Sequence, residues 1–488
     1  MSTYLGIDIG TSSVKTILMD ADQSILASAS AELQVSRPKP GWSEQNPDDW
    51  WQAAEQTLDQ LAASNAKEIA AVEGIGLSGQ MHGATMLDGA DQPLRPCMLW
   101  NDGRSNAQCE EIERVCTKSR QISGNLAMPG FTAPKVLWVK QHEPEVFDQT
   151  STVLLPKDYV RLHLTGEKVS DMSDAAGTLW MNVRERRWSD ELLAATGLSK
   201  QQMPRLVEGS DTSGQLREEL AHRWGMLKRP VIAGGGGDNA ASACGVGVVD
   251  AGAGFLSIGT SGVLFVSNET YSPNTEDAVH AFCHAVPDTW HQMGVVLSAS
   301  ASLDWLAGLL NESAADLTRA LGDDLNAPSN VHFLPYLSGE RTPHNDVTIR
   351  GNFYGIDHDT DRQKLTQSVL QGVTFAFQDC LSALQGAGAS VDHLIAIGGG
   401  SQAKIWLKTI ATTLNVPIQI PVAGELGAAF GAARLGVAAA TDADPKSICV
   451  NPEITETIEP DRALASAYQD AWGHYRSIYP ALKEAIAS

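Results

Sequence analysis

Gly6-Ile7-Asp8-Ile9-Gly10-Thr11-Ser12, with Tyr4-Leu5 before it and Val14-Lys15-Thr16-Ile17-Leu18-Met19-Asp20 after it, decides how the chain is read. The apolar runs predict strands and the polar residues between them a tight turn. The result is a β-hairpin with Gly10, Thr11, Ser12 and Ser13 at its tip. The pattern returns at Gly254-Phe255-Leu256-Ser257-Ile258-Gly259-Thr260-Ser261-Gly262-Val263-Leu264-Phe265-Val266. Ile-Gly-Thr-Ser thus stands at 9–12 and again at 258–261. A repeat at that distance predicts two related domains rather than a stack of short units. The copies differ where Asp8 of the first becomes Ser257 of the second. Two Gly-Thr-Ser tips offer N–H and hydroxyl groups that can close on a polyphosphate from both sides. A carboxylate on only one of them fits a single divalent cation on that phosphate chain. Either hairpin alone would be an ordinary turn; the pairing carries the argument.

A length of 488 residues predicts two or three domains, each able to bury a core. The net charge of −23 argues against non-specific binding to nucleic acid or an anionic membrane. It also suits a salt-rich cytoplasm. The seven cysteines are scattered and contain no Cys-x-x-Cys, so neither a disulfide framework nor a zinc site is signalled. Asp8, Lys15 and Asp20 rule out a secretory h-region in the first twenty residues. No apolar run approaches the ~20 residues of a membrane helix. The expectation is a cytoplasmic protein.

Further along, Asn46-Pro47-Asp48-Asp49 predicts a helix start, with the helix running toward Ala63. Ala71 to Ser78 predicts a strand that delivers Gly79-Gln80-Met81-His82-Gly83 at its carboxyl end, where ligands bind in open α/β sheets. Trp100-Asn101-Asp102-Gly103-Arg104 follows a short strand and mixes donors, acceptors and a flat ring, the mixture a small polyol needs. By itself His82 reads more readily as a satisfied structural histidine and Trp100 as core. Ala133 to His142 predicts a structural helix, and Asp171 and Asp174 read as helix caps. Pro230 to Ala233 predicts a strand, followed by Gly234-Gly235-Gly236-Gly237-Asp238-Asn239 and an Ala-rich helix. Such glycines let backbone approach a ligand closely, and Asp238 is either a plain N-cap or a working carboxylate. His280 and His284 fall in a predicted hairpin, which argues against a helical metal face. Arg341 is a candidate for substrate or domain contact. Leu394 to Lys404 predicts a strand, a Gly398-Gly399-Gly400 turn and a helix; Gly424-Glu425-Leu426-Gly427 opens a Gly/Ala helix; the last ~25 residues predict a terminal helix.

Together the paired Asp-x-Gly-Thr and Gly-Thr-Ser hairpins resemble the phosphate loops of the actin, hexokinase and Hsp70 superfamily. Gly130 to His142, Gly351 to Gln371 and the pocket segments narrow the resemblance to the FGGY carbohydrate kinases. Gln80-Met81-His82-Gly83 and Trp100 to Arg104 look like the sugar pocket of the xylulokinase branch. The second signature departs at Lys364, where an acid or amide is usual, and the turn before Asp238 carries one more Gly than the family's Gly-Gly-Gly-Asp.

The resemblance implies two ribonuclease-H-like α/β domains with mixed sheets and an interdomain cleft. Residues 1–246 are expected to take the sugar, 254–445 the nucleotide, and 446–488 to form a helical extension. It implies ATP and Mg²⁺ as cofactors, D-xylulose as acceptor, and a homodimer. Asp8 is then expected on the metal, Thr11, Ser12, Gly259 and Thr260 on the phosphates, and Gly399, Gly400 and Lys404 on the nucleotide. Met81, His82, Trp100 and Asp102 are expected on the sugar, and Asp238 is the expected base. The alternatives are a kinase for another ketose or polyol, such as ribulose or glycerol, and an actin-like or Hsp70-like ATPase.

Overall fold

The computed structural model describes residues 2–422 and 427–487. The Gly424-Glu425-Leu426 part of the expected helix start lies outside them. Apolar alternation in the opening stretch folds as read. Strand β1 (Thr3–Ile9) pairs antiparallel with β2 (Ser13–Asp20), and β2 with β3 (Ile25–Glu32). Helix α1 (Pro47–Ser64) starts at the expected proline, and its two aspartates lie in the first turn. Strand β4 (Val72–Gly79) joins β1 in parallel, which puts Asp8 beside Ser78. Helices α2 (Thr132–His142), α3 (Pro156–Thr165) and α4 (Met172–Ala176) follow. Strands β5 (Thr212–Gln215), β6 (Val231–Ala233) and β7 (Gly236–Gly237) complete the first sheet, in the order β5-β6-β4-β1-β2-β3 with β7 paired on β4. Helix α5 (Asp238–Gly245) leaves directly from β7.

The second sheet repeats the plan. Strands β8 (Ala253–Ile258) and β9 (Gly262–Asn268) form the second hairpin. Strands β10 (His280–Cys283) and β11 (Trp290–Val296) extend it on one side. On the other side come the parallel β12 (His393–Ile397) and β13 (Ile418–Pro421), then the antiparallel β14 (Ile454–Ile458). Helix α6 (Ser300–Leu310) packs under the second tip, α7 (Arg362–Gly386) backs the sheet, and α8 (Lys404–Leu414) follows the glycine turn.

Helix α9 (Ala428–Thr441) stands after the second sheet in sequence but lies on the first sheet in space. Its Gly/Ala face lets backbones touch. A Cβ added at Gly76 on β4 would stand 1.7 Å from the Ala432 carbonyl oxygen, and one at Gly431 1.7 Å from that of Ala241. Only hydrogen fits at such contacts. The chain then returns through β14 to the second sheet and ends in α10 (Ala465–Ala487). It therefore crosses between the halves three times rather than once. Among the described residues no helix is long and apolar enough to cross a membrane.

Candidate active site

The first tip is held by a chain of hydrogen bonds. Trp50 Nε1 donates to Gln45 Oε1 at 2.9 Å, and Gln80 Nε2 donates to the same oxygen at 2.8 Å. Gln45 Nε2 donates to the Thr11 carbonyl at 2.7 Å. Thr11 Oγ1 donates to Gln80 Oε1 at 3.0 Å and accepts from Trp100 Nε1 at 3.0 Å. Trp100 thus fixes the tip through Thr11, while Ser12 stays exposed. Gln45 and Gln80 were not among the expected site residues. A glutamine is unremarkable in sequence until its partners are known.

Asp8 stands one residue before the end of β1, and its Oδ1 is buried without a hydrogen-bond partner. Burial pushes this carboxyl up to about 6, with the Ser78 hydroxyl and then Lys15 pulling the other way. An orphaned, buried carboxylate oxygen beside a polyphosphate-type turn fits a hard divalent cation.

Asp238 sits two strands away. Asp8 and Gly236 both lie against Ser78 of β4, so the backbones that carry the two acids stand about 10 Å apart across two strand spacings. Gly237 takes the cap position and Asp238 is the first residue of α5. Its Oδ1 accepts from the Asn239 N–H at 2.7 Å and from Asn239 Nδ2 at 2.9 Å. Burial, and after it the charge on Asp8, pushes the carboxyl up to about 7. Two acids so placed repel, and each favours a cation or a proton between them.

The loop before Asp238 is clamped from behind. The Arg161 guanidinium donates to the carbonyls of Ala233 and Gly234 and to Ser213. Ser173 Oγ accepts from the Gly237 N–H at 3.1 Å and donates to Asp171 Oδ2 at 2.5 Å. Behind them Lys157 Nζ meets Asp158 at 2.6 Å, Asp171 at 2.8 Å and Asp174 at 3.1 Å. All five ionisable groups are wholly buried. Three acids face two cations, and Asp174 is held well above the usual carboxylate range by burial, its lysine notwithstanding. Asp171 caps α4 as read, and it also belongs to this cluster.

On the sugar side, Met81 is buried against Gly237, and His82 takes a left-handed backbone with φ 71°. The His82 Nδ1–H donates to the Gly177 carbonyl at 2.7 Å. Burial, then Lys135, lowers the ring to about 3, so it is neutral and presents Nε2 as an acceptor. Lys135, on the helix read as structural, donates to the carbonyls of His82 at 3.0 Å and Gly130 at 2.7 Å. Its only signal in the sequence is that it is the one charged residue of the apolar run Thr132 to Val139. Asp102 is 1% exposed; its oxygens accept from the Ser43 N–H at 2.7 Å and from Arg104 at 2.6 and 2.9 Å. It therefore shapes the Trp100 to Arg104 turn from below.

The second tip rests on α6. The Gly259 carbonyl accepts from the Ser300 N–H at 2.9 Å and from its Oγ at 2.7 Å, and the Thr260 carbonyl from the Ala299 N–H at 2.9 Å. Beside it opens a cavity of about 670 Å³ lined by Ser300, Leu303, Arg319, Gly399, Gly400 and Lys404, among others. The expected nucleotide residues 399, 400 and 404 thus share one cavity. Lys404 Nζ pairs with Glu456 at 2.6 Å, so it does not project freely into the space.

The chain matches the FGGY family of carbohydrate kinases, N-terminal domain, over residues 3–245 and the C-terminal domain of that family over 254–440. It is 46% identical to the xylulose kinase of Escherichia coli (strain K12) over 489 residues, which covers 99% of this chain and 100% of the relative. Among solved structures it resembles a xyloylose kinase from Brucella ovis, with TM-score 0.97 and 56% identity over 99% of each chain. It also resembles a gluconate kinase from Lactobacillus acidophilus, with TM-score 0.90 and 26% identity over 99% of this chain and 98% of that one. The same architecture therefore carries more than one sugar specificity.

Proposed function

The chain belongs to the FGGY family of carbohydrate kinases, and from that premise we propose that it transfers the γ-phosphoryl group of ATP to the terminal hydroxyl of D-xylulose. The products are D-xylulose 5-phosphate and ADP. The observation that carries the reading is the pair of buried, raised carboxyls, Asp8 and Asp238, at the carboxyl ends of β1 and β7, the two strands that flank β4.

In this reading Asp238 orients the attacking hydroxyl and takes its proton. The sugar oxygen bonds to the γ-phosphorus as the bond from that phosphorus to the β,γ-bridging oxygen breaks. Positioning and charge neutralisation dominate such transfers. Thr11, Ser12, Gly259 and Thr260 hold the phosphates, and the cavity beside Gly399 and Gly400 takes the adenine end. Asp8 would hold Mg²⁺, which supplies positive charge against the phosphates when bound. Met81 and His82 line the sugar, while Trp100 and Asp102 fix the loops around it. The expected homodimer and cytoplasmic location belong to the same reading; sedimentation velocity tests the first. Relatives named for xylulose favour D-xylulose over other ketoses and polyols.

The test is Mg-ATP-dependent ADP formation over a panel of ketoses and polyols. D-xylulose is expected to give the highest kcat/KM. A higher value on ribulose or glycerol overturns the substrate assignment but leaves the kinase.

A further inference from the structure

Arg341 is an expected contact residue that the mechanism above leaves unused. It lies in a loop of the second half, yet its Nη2 comes within 3.9 Å of where a Cβ on Gly130 would stand, on the sugar side of the first half. The Gly130 carbonyl is one of the two that Lys135 binds, the other being that of His82. The Arg341 charge is felt at both His82 and His280. Phe131 packs against both rings, with centroids 4.8 Å from His82 and 5.5 Å from His280. Among the described residues the guanidinium forms no ion pair and donates to no protein acceptor; the residue is held by its backbone, whose N–H donates to Glu340 Oε1 at 2.8 Å and whose carbonyl accepts from the Asn345 N–H at 2.5 Å.

The loop is held firmly. Glu340 Oε1 also accepts from the Leu297 N–H at 2.9 Å, and Thr342 Oγ1 accepts from the Val295 N–H at 3.1 Å. The same segment continues into Ala299 and Ser300, which hold the second tip. Burial pushes the Glu340 carboxyl up to about 8, so at neutral pH it leaves the neighbouring guanidinium largely uncompensated. A partly exposed guanidinium with no side-chain partner among the described residues keeps its donors open to a ligand's acceptors.

We propose that Arg341 reaches from the second half to the sugar pocket and recognises the keto end of an open-chain ketose. The inference rests on the sugar-kinase reading above. Met81 packs against Gly237, next to Asp238, and both Met81 and His82 pack against Gly177. Because Met81 and not His82 is the neighbour of Gly237, we place His82 and Arg341 on the side of the pocket away from Asp238. If the terminal hydroxyl lies at Asp238, the C1–C2 end lies at Arg341. A ketone oxygen only accepts, and a guanidinium only donates. Neutral His82 supplies the complementary acceptor for a flanking hydroxyl. A pentitol instead places at C2 a hydroxyl whose own proton Arg341 cannot accept.

The test is calorimetric binding of D-xylulose and of xylitol, without nucleotide, to wild type, Arg341→Met and Arg341→Lys, with thermal unfolding as the check on folding. Arg341→Met is expected to weaken D-xylulose by about 10- to 100-fold and xylitol by much less, so the preference for the ketose collapses. Arg341→Lys, which keeps the charge and loses the fork, is expected to fall between. Equal weakening of both sugars, or none, in whichever variant folds overturns the proposal and leaves the kinase reading intact. A wild type that binds no D-xylulose removes both.

Discussion

Asp238 meets two opposing influences, and they set its use. Burial and Asp8 raise the carboxyl to about 7, while two hydrogen bonds from Asn239 favour its charged form. Only the ionised form accepts a proton, so kcat/KM for the sugar is expected to fall as pH drops below about 7. Replacing Asn239 by Ala removes the side-chain donor at 2.9 Å that stabilises the carboxylate. The carboxyl then rises further and the acid limb moves to higher pH; a pH–rate profile that does not move contradicts this. Replacing Asp238 by Asn is expected to lower kcat by ~10²–10⁴-fold with ATP affinity kept. At this scale the sequence spoke unevenly. Asp8 and Asp238 could be put forward from the sequence because the paired hairpins and the family resemblance single them out; the glycine turn alone left Asp238 open between a cap and a working carboxylate. Lys135 and Gln45 were not, and Gln80 only as part of its motif, because the bonds they make reach partners far away in the chain. Asp102 was read as a sugar contact, and its oxygens are taken up by Arg104 and Ser43.

At the scale of elements, strands and helices followed from alternation, capping and turn residues, and most lie within a few residues of where the pattern put them. The hairpin over His280 and His284 is an example: β10 and β11 pair as read. The placement of α9 is not written locally. Its Ala/Gly composition announces close packing but not against which sheet. Contact at Gly76 makes a specific forecast. Gly76→Ala forces a methyl into the Ala432 carbonyl and is expected to cost about 1–3 kcal/mol in urea denaturation. Gly89→Ala, where nothing lies within 4 Å of the new Cβ, is expected to be near neutral. Similar losses at both positions contradict the packing account. The clamp behind Asp238 was equally hidden, since Lys157, Arg161 and Ser173 look like ordinary polar residues until the loop is seen. Ser173→Ala removes the acceptor of the Gly237 N–H. It is expected to lower kcat with little change in the KM for ATP; unchanged kcat shows that the clamp does not position Asp238.

For the whole molecule, buried ionisable groups fix how stability follows pH. In the folded protein burial raises Asp8 to about 6, Asp238 and Asp379 to about 7 and Glu340 to about 8. Unfolded carboxyls titrate near ~4. These groups therefore add stability that is complete below that value and is lost as pH rises through the folded ones. Buried histidines work the other way: His82 is lowered to about 3, and His284 and His344 to about 4. Their contribution is lost as pH falls below the unfolded histidine value of ~6.5. Below pH 6.5 the two sets oppose each other; between 6.5 and 8 the acids are opposed by Lys135, which burial lowers to about 7 and which adds stability as pH rises past that value. Tm of the metal-free protein is expected to carry a falling contribution from Glu340 over that window, against the rising one from Lys135. Glu340→Gln is expected to remove that falling contribution, on the order of 2 kcal/mol, and an unchanged pH dependence in that variant contradicts the assignment. The doubled hairpin made the two-sheet plan readable, because one motif occurs twice. The threefold crossing of the chain between halves was not, since it depends on long-range contacts.

Phosphoryl transfer to D-xylulose with Asp238 as the proton acceptor is the central claim, and a coupled assay of ADP formation tests it most directly. Wild type and Asp238→Asn are compared with saturating Mg-ATP, with and without D-xylulose. The account predicts sugar-dependent ADP release in wild type and a loss of ~10²–10⁴-fold in the variant. Equal sugar-dependent rates in the two proteins, or ADP release that ignores the sugar, contradict it.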